Sequence, residues 1–328
     1  MKSQIKAFTR KVSLFLALAM VISLLCVVPV NAQTTVHIDT AQELVDLANT
    51  INSQSVGSGS SPSLGDYYVE IDADIDMSGV SNWQGIGVPQ SWIGITGTFD
   101  GNGHTISGIS LTNTQYVGPK GGLFNLVQDI TIKDLKVSGS VTSNRFIGGI
   151  VGRALGGMTI QNCIADMTLT LSNGASNSIG GLVGQFGSGQ TTGGNTISIT
   201  NSAALGTFTS NTSSNPVGGL VGHIYSGFNV TVSNSYVAAS LNNSGGTTGA
   251  LVANNASTSL TLTNCWYLSG MSSNIIGTDT GSTNTGNCYS FSAGTLTASA
   301  LNNGGSAWQT KSGVNVFNSY SYPALSWQ

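Results

Sequence analysis

Gly180-Gly181-Leu182-Val183-Gly184, followed by Ile197-Ser198-Ile199-Thr200-Asn201-Ser202, decides the fold, because the chain writes both phrases again and again. The first returns as Gly148-Gly149-Ile150-Val151-Gly152 and Gly218-Gly219-Leu220-Val221-Gly222, with worn forms at Gly121-Gly122-Leu123-Phe124 and Gly249-Ala250-Leu251-Val252. The second returns as Ile130-Thr-Ile-Lys-Asp134-Leu, Met158-Thr-Ile-Gln-Asn162-Cys, Val230-Thr-Val-Ser-Asn234-Ser and Leu260-Thr-Leu-Thr-Asn264-Cys. Units this short cannot bury a core alone. They have to stack.

The polar residue ending each second phrase falls at 134, 162, 201, 234 and 264, with a sixth marker at Asn287. The intervals are 28, 39, 33, 30 and 23 residues. Constant strand phrases at unequal spacing mean that the turns absorb the insertions, of which the Gly- and Thr-rich 185–196 is one. No helix-length segment separates the short apolar alternations. A chain laying short strands around each coil, and returning about 4.8 Å further along, satisfies this pattern. The expected architecture is all-β: one right-handed parallel β-helix of about seven or eight coils over 66–299, the hand following the preference of parallel connections. Ile132, Val137, Ile160, Leu182, Ile199, Leu220, Val232, Leu251 and Leu262 are expected to face inward.

Stacked coils turn like residues into ladders. Asn162, Asn201, Asn234, Asn264 and Asn287 form one, at a bend where asparagine tolerates left-handed φ and its amide reaches its neighbours. The repeated glycines are expected to serve positive φ and close backbone approach. Just past the bend, Leu135, Cys163, Ser202, Ser235, Cys265 and Cys288 share an inward column. Cys265 and Cys288 are then vertical neighbours, either bridged by a disulfide or buried as small apolar rungs. Tyr236, Trp266 and Tyr289 point outward on consecutive coils, as a ligand-binding edge or as cover for a crossing loop.

The ends have their own signals. Lys2, Lys6, Arg10 and Lys11 precede an apolar run from Val12 to Val30, and Val30-Asn31-Ala32 is a cleavage site before Gln33. Residues 1–32 therefore read as a secretory signal peptide. The leader removes four cations, leaving six basic groups against 13 acidic ones, a net charge of −7 that argues against nucleic acid as partner. No later stretch is apolar enough to span a membrane. The expected location is secreted or extracellular, with at most loose association to a cell surface. In the cap and loop region 33–65, residues 40–52 form an amphipathic helix, with Thr40 and Glu43 as a capping box. Residues 68–77 then alternate as a strand with Asp72, Asp74 and Asp76 on its polar face.

Trp83-Gln-Gly-Ile-Gly87, Gly97-Thr-Phe-Asp-Gly-Asn-Gly-His-Thr-Ile-Ser107 and the repeated Gly-Gly-Leu-Val-Gly resemble bacterial secreted and surface proteins carrying the GLUG repeat. That family includes segments of adhesin-like proteins and regions beside immunoglobulin A peptidases. The likeness covers about residues 66–327, and Ala300-Leu-Asn-Asn303, Trp308 and Tyr322-Pro-Ala-Leu-Ser-Trp327 resemble its closing segment, here 300–328. It implies a right-handed parallel β-helix used for binding or spacing. No peptidase, cell-wall-binding or sorting segment is recognisable, so neither stable anchorage nor a borrowed enzymatic role is expected.

Catalysis has little to stand on. Glycoside hydrolysis needs two carboxylates facing across a groove, and lyase chemistry needs a base plus cations. Beyond Asp134 the only carboxylates are Asp166 and Asp279. A polysaccharide lyase or glycoside hydrolase would have to use Asp72, Asp74, Asp76 or Asp100. The three aspartates on the 68–77 face are a hydrated surface or a candidate Ca²⁺ site, although no EF-hand loop accompanies them. His104, in its glycine-rich corner, reads as a packing or turn residue. The unequal intervals argue against the regular Thr and Ser lattice that ice binding would need. No cofactor is expected apart from that candidate Ca²⁺. The function read from the sequence is non-catalytic adhesion or recognition of an extracellular glycan, matrix or cell-envelope surface, with a structural spacer as a further reading.

Overall fold

The computed structural model describes residues 34–53, 63–87, 94–113, 121–172, 177–187 and 195–328, and residues Thr35–Gln328 form one compact unit. The signal peptide expected at 1–32, most of the 53–65 loop and most of the 185–196 insertion lie outside the described residues. Among the described residues no helix is long and apolar enough to cross a membrane.

Alternating β-branched residues such as Ile197, Ile199, Val230 and Val232 favour a pleated, half-buried strand. Each strand finds its partner one coil away. Val69 pairs with Phe99, and that column continues through Ile132, Ile160, Ile199, Val232 and Leu262 to Thr285, all parallel. This is a parallel β-solenoid with eight rungs in that column. All nine residues expected inside are fully buried. Phe99 meets Phe124 edge to face at 5.1 Å, and Phe186 stacks on Phe228 at 6.2 Å.

From the strand Phe124–Ser143 onward, unequal repeat lengths do not disturb the register, whereas the pairings of Ile95–Asn113 carry register shifts. Across the 39-residue interval, Ile199 lies opposite Ile160 and Ala203 opposite Ile164, as in the shorter coils. Inserted residues leave the pairing between these strands unchanged.

The two repeated phrases turn the chain by different means. Asn162, Asn201, Asn234, Asn264 and Asn287 all take left-handed φ between 49° and 53°, and Asp134 at 52° begins the series. Asn162 Nδ2 donates to Asp134 Oδ1 at 2.8 Å, Asn201 to Asn162 at 3.1 Å, and Asn264 to Asn234 at 3.0 Å. The glycine phrase works without positive φ, contrary to expectation. A Cβ on Gly180 would lie 2.1 Å from the Val183 carbonyl oxygen, and one on Gly218 would lie 1.9 Å from that of Val221. Only a bare α-carbon lets the chain double back so tightly.

Helix α1 (Ala41–Asn52) carries the expected capping box between Thr40 and Glu43. Leu44, Ala48 and Ile51 join the solenoid core, and Asn52 ties the helix end to Gly85 O and Gly87 N. The 68–77 alternation keeps its burial pattern but is not one strand. The backbone runs extended as Ser63–Ile71, breaks, and resumes as Ile75–Asp76.

The closing segment adds antiparallel pairs to the parallel stack. After helix α2 (Ala298–Asn302), Trp308–Gln309 pairs antiparallel with Ala324–Leu325, and Asn315–Phe317 with Tyr320–Tyr322. This segment folds back along the flank of the solenoid. Leu301 O accepts from Asn264, Trp308 Nε1 donates to Asn234 O, and Lys136 Nζ donates to Val314 O. Its apolar residues form a second core with Ile164, Ala203, Leu205, Tyr236 and Ala238, which point outward from the coils. The last rung carries Thr283 and Thr285 where the preceding one carries Leu260 and Leu262. Polar residues suit a rung with no coil beyond it.

Candidate functional site

The outward aromatic column splits in two. Tyr236 is fully buried, with Trp308 at 5.1 Å and Tyr322 at 6.3 Å between ring centroids, and its hydroxyl donates to Pro323 O at 2.9 Å. The expectation of Tyr236 as a ligand-binding residue is corrected, because the closing segment covers that column. Trp266 packs against the margin of that cover, and Tyr289 is exposed one coil further on. Their rings sit 4.9 Å apart at 43°, Trp266 half-buried and Tyr289 47% exposed. Each ring is held by the ladder asparagine two residues before it: Trp266 Nε1 donates to Asn264 Oδ1 at 3.0 Å, and the Tyr289 hydroxyl to Asn287 Oδ1 at 3.3 Å. The bend that turns the coil also fixes the rings. Such a pair offers apolar faces with polar rims at small entropic cost.

Below this pair, Cys265 and Cys288 are register partners and both are free thiols, so the bridged alternative is not realised here. Hydrogen bonding to Cys288 and burial push the Cys265 thiol up.

At the other end, the three aspartates do not act together. Asp76 Oδ1 accepts from Ser78 N, and Asp74 Oδ1 accepts from Thr105 N and lies 3.4 Å from His104 Nδ1. Asp72 instead meets His37. The strand Thr34–Ile38 runs beside Ser63–Ile71, and Asp72 N donates to Ile38 O at 2.8 Å. This brings His37 Nδ1 to 3.0 Å from Asp72, with Glu70 close by, and one ligand atom from each of the three lies within 4.8 Å of the others. The expected Asp72, Asp74 and Asp76 grouping is therefore replaced by His37, Glu70 and Asp72. The sequence hid His37, which has no metal-ligand spacing to Glu70 and lies on the far side of a helix and loop. One imidazole and two carboxylates can hold a divalent cation. Ca²⁺ would rely on the carboxylate oxygens, and a borderline ion such as Zn²⁺ would use all three groups. The Asp72 hydrogen bond holds the His37 pKa above its ordinary value.

A third group is closed on itself. Asp100 is buried, with Lys133 Nζ and the Tyr68 hydroxyl on Oδ2 and Asn102 N on Oδ1. Burial alone would raise its pKa, but the bonds from Lys133 and Tyr68 outweigh that and hold it below the usual value. A carboxylate kept ionised by a fixed cation is poorly suited to donate a proton.

Comparisons with known proteins agree with this architecture. No family model matches the chain. A 132-residue stretch is 36% identical to halomucin of Haloquadratum walsbyi (strain DSM 16790 / HBSQ001), covering 37% of this chain and 1% of that protein. A Bacteroides ovatus protein carrying the name immunoglobulin A1 protease has a crystal structure similar over 91% of this chain and 94% of its own, with a TM-score of 0.59 and 19% identity. At that identity the likeness speaks for the fold, a parallel β-solenoid.

Proposed function

We propose that the chain is a secreted, non-catalytic β-solenoid that recognises an extracellular surface, with glycans of a host, matrix or cell envelope as its ligands. The observation that carries this reading is the Trp266–Tyr289 pair, two rings set 4.9 Å apart by hydrogen bonds to Asn264 and Asn287. Sugar rings stack on such faces, and rings already held in place lose little freedom on binding. The likeness of the repeats to GLUG-type surface proteins and the leader-like first 32 residues support the same reading. The test is a glycan and mucin array probed with the purified protein, with and without Ca²⁺. Binding lost in W266A and Y289A at unchanged melting temperature is the expected result. Unchanged binding in both variants removes this edge from the site, and no binding at all favours a spacer.

The second reading, a polysaccharide-active enzyme, rests on the His37, Glu70 and Asp72 cluster, which has the ligand types of a divalent-cation site. New reducing ends or unsaturated products in the same mixtures, abolished by D72N or E70Q, would establish it over the first.

A further inference from the structure

The inward column just past the asparagine bend ends in a thiol set apart from the rest. Cys163, Ser202, Ser235, Cys265 and Cys288 each turn a hydroxyl or thiol onto the carbonyl two residues back, from Ser235 to Ser233 O at 2.7 Å up to Cys288 to Gly286 O at 3.7 Å. The same side chains accept from the coil before: Ser202 Oγ from Cys163 N at 3.2 Å, and Ser235 Oγ from Ser202 N at 3.1 Å. Cys163 and Cys265 are fully buried in this ladder, whereas Cys288 is half-buried on the last rung. No coil follows it, because the chain turns instead into helix α2 and the antiparallel pairs of the closing segment.

Position decides reactivity. The thiolate is the nucleophile in thiol chemistry, so apolar burial silences a cysteine and hydrogen-bond donors activate one. Burial pushes the Cys163 thiol up to about 12. Hydrogen bonding from Cys265, through its thiol and its backbone N–H, holds the Cys288 thiol below its ordinary value against the effect of burial. Cys265 lies directly opposite, one coil away. Register partners in parallel strands sit about 4.8 Å apart, within the roughly 4.4–6.8 Å that a disulfide spans between α-carbons. Cys163 is three coils from Cys265, about 14 Å away, and out of reach. The two thiols also directly precede the two rings, as Cys265-Trp266 and Cys288-Tyr289.

We propose that Cys288 is a thiol-exchange site for small-molecule disulfides, with Cys265 as the resolving thiol, placed to control the Trp266–Tyr289 pair. The Cys288 thiolate attacks one sulfur of the external disulfide, whose S–S bond breaks and releases one half as a thiolate. The Cys265 thiol then loses its proton to water, its sulfur attacks Cys288 Sγ, and the second half leaves. The protein dithiol is oxidised to a disulfide, and the external disulfide is reduced to two thiols. A bridge favours Cβ atoms about 3.8 Å apart, so closure draws the last two rungs together beneath the rings. The effect on binding rests on the aromatic-edge reading proposed above, whereas the exchange itself does not.

The test is peptide mass mapping of the reduced, folded protein after brief exposure to hydroxyethyl disulfide. Cys288 should be modified roughly tenfold or more faster than Cys163, and wild type should end bridged between Cys265 and Cys288. C265S should stop at the adduct on Cys288, and C288S should leave Cys163 and Cys265 unmodified. Serine already fills this column at Ser202 and Ser235, so both variants should fold. Cys163 reacting as fast as Cys288 overturns the proposal, as does a stable adduct on wild-type Cys288 with no bridge. A bridge that resists reduction in the folded protein overturns exchange in favour of a permanent staple. Closure should also change tryptophan emission in wild type and not in W266F, and an equal change in both severs the link to the rings. On the glycan array the bridged protein should bind about tenfold more weakly than the reduced one, and equal binding by the two forms overturns the control. Absence of array binding in both forms sinks the aromatic-edge reading alone, since the mass map needs no ligand.

Discussion

The hydroxyl of Tyr236 donates to the carbonyl oxygen of Pro323 at 2.9 Å, joining positions 87 residues apart. The contact fastens the closing segment to the middle of the solenoid. Y236F removes one buried hydrogen bond while the Pro323 carbonyl keeps the bond from Asn315 Nδ2, for an expected loss of about 0.5–1.5 kcal/mol. Y236A opens a large cavity and should cost about 3–5 kcal/mol. Denaturant titration checks both, and proteolysis of Y236A should release the C-terminal segment first.

Asn234 tests the left-handed bend. It takes φ of 49°, accepts from Asn264 through its side chain, and receives Trp308 Nε1 on its carbonyl. N234A should destabilise by roughly 1–3 kcal/mol, because alanine pays the αL penalty and offers no amide. N234G removes the penalty while still losing the amide, so it should be milder. Equal effects from the two variants would show that the amide bonds, and not φ, set the cost.

Leu220 tests the interior. It is fully buried, and L220D places a carboxylate where no partner awaits it. Failure to fold, or a large drop in melting temperature, is expected in thermal unfolding.

The Asp100–Lys133 pair gives a pH signature. The Asp100 pKa lies below its ordinary 3.8, so its contribution to stability is present above that value and is lost as pH falls through the folded one. The Lys133 pKa is raised: burial alone would lower it, but the bonds to Asp100 and Tyr68 prevail, so its contribution is present below 10.5 and lost as pH rises past the folded value. K133M leaves a buried carboxylate uncompensated and should cost on the order of 3 kcal/mol near neutrality. The gap between wild type and K133M should hold from pH 5 to 9 and shrink in acid, as urea titrations at several pH values would show.

At His37 the pH dependence concerns metal. A cation must displace the proton that Asp72 helps to hold, so Zn²⁺ affinity should rise as pH increases through and beyond 6.5. Calorimetry on wild type and H37A separates the sources. Loss of binding in H37A places the imidazole among the ligands, and equal binding removes it.

The stacking order was legible because its signal is periodic. Ile160, Ile199, Val232 and Leu262 recur with the same neighbours, and one such column determines the whole register. The bends were equally plain, since Asn before a small residue marks a positive φ. The closing segment was not, because its partners Ile164, Ala203 and Tyr236 occupy outward positions of a strand and alternation cannot show what covers them. The same limit hid the burial of Tyr236. His37 escaped for a different reason: ligands brought together by pairing between strands distant in sequence leave no spacing in the chain.

The constancy of register has a practical side. Asn162 and Asn201 stand one rung apart at a sequence separation of 39, while Asn234 and Asn264 stand one rung apart at a separation of 30. A coil's circumference is thus decoupled from its pitch. Foreign peptides spliced into successive turns would be displayed along a ruler graduated at about 4.8 Å, each at a chosen bearing around the axis.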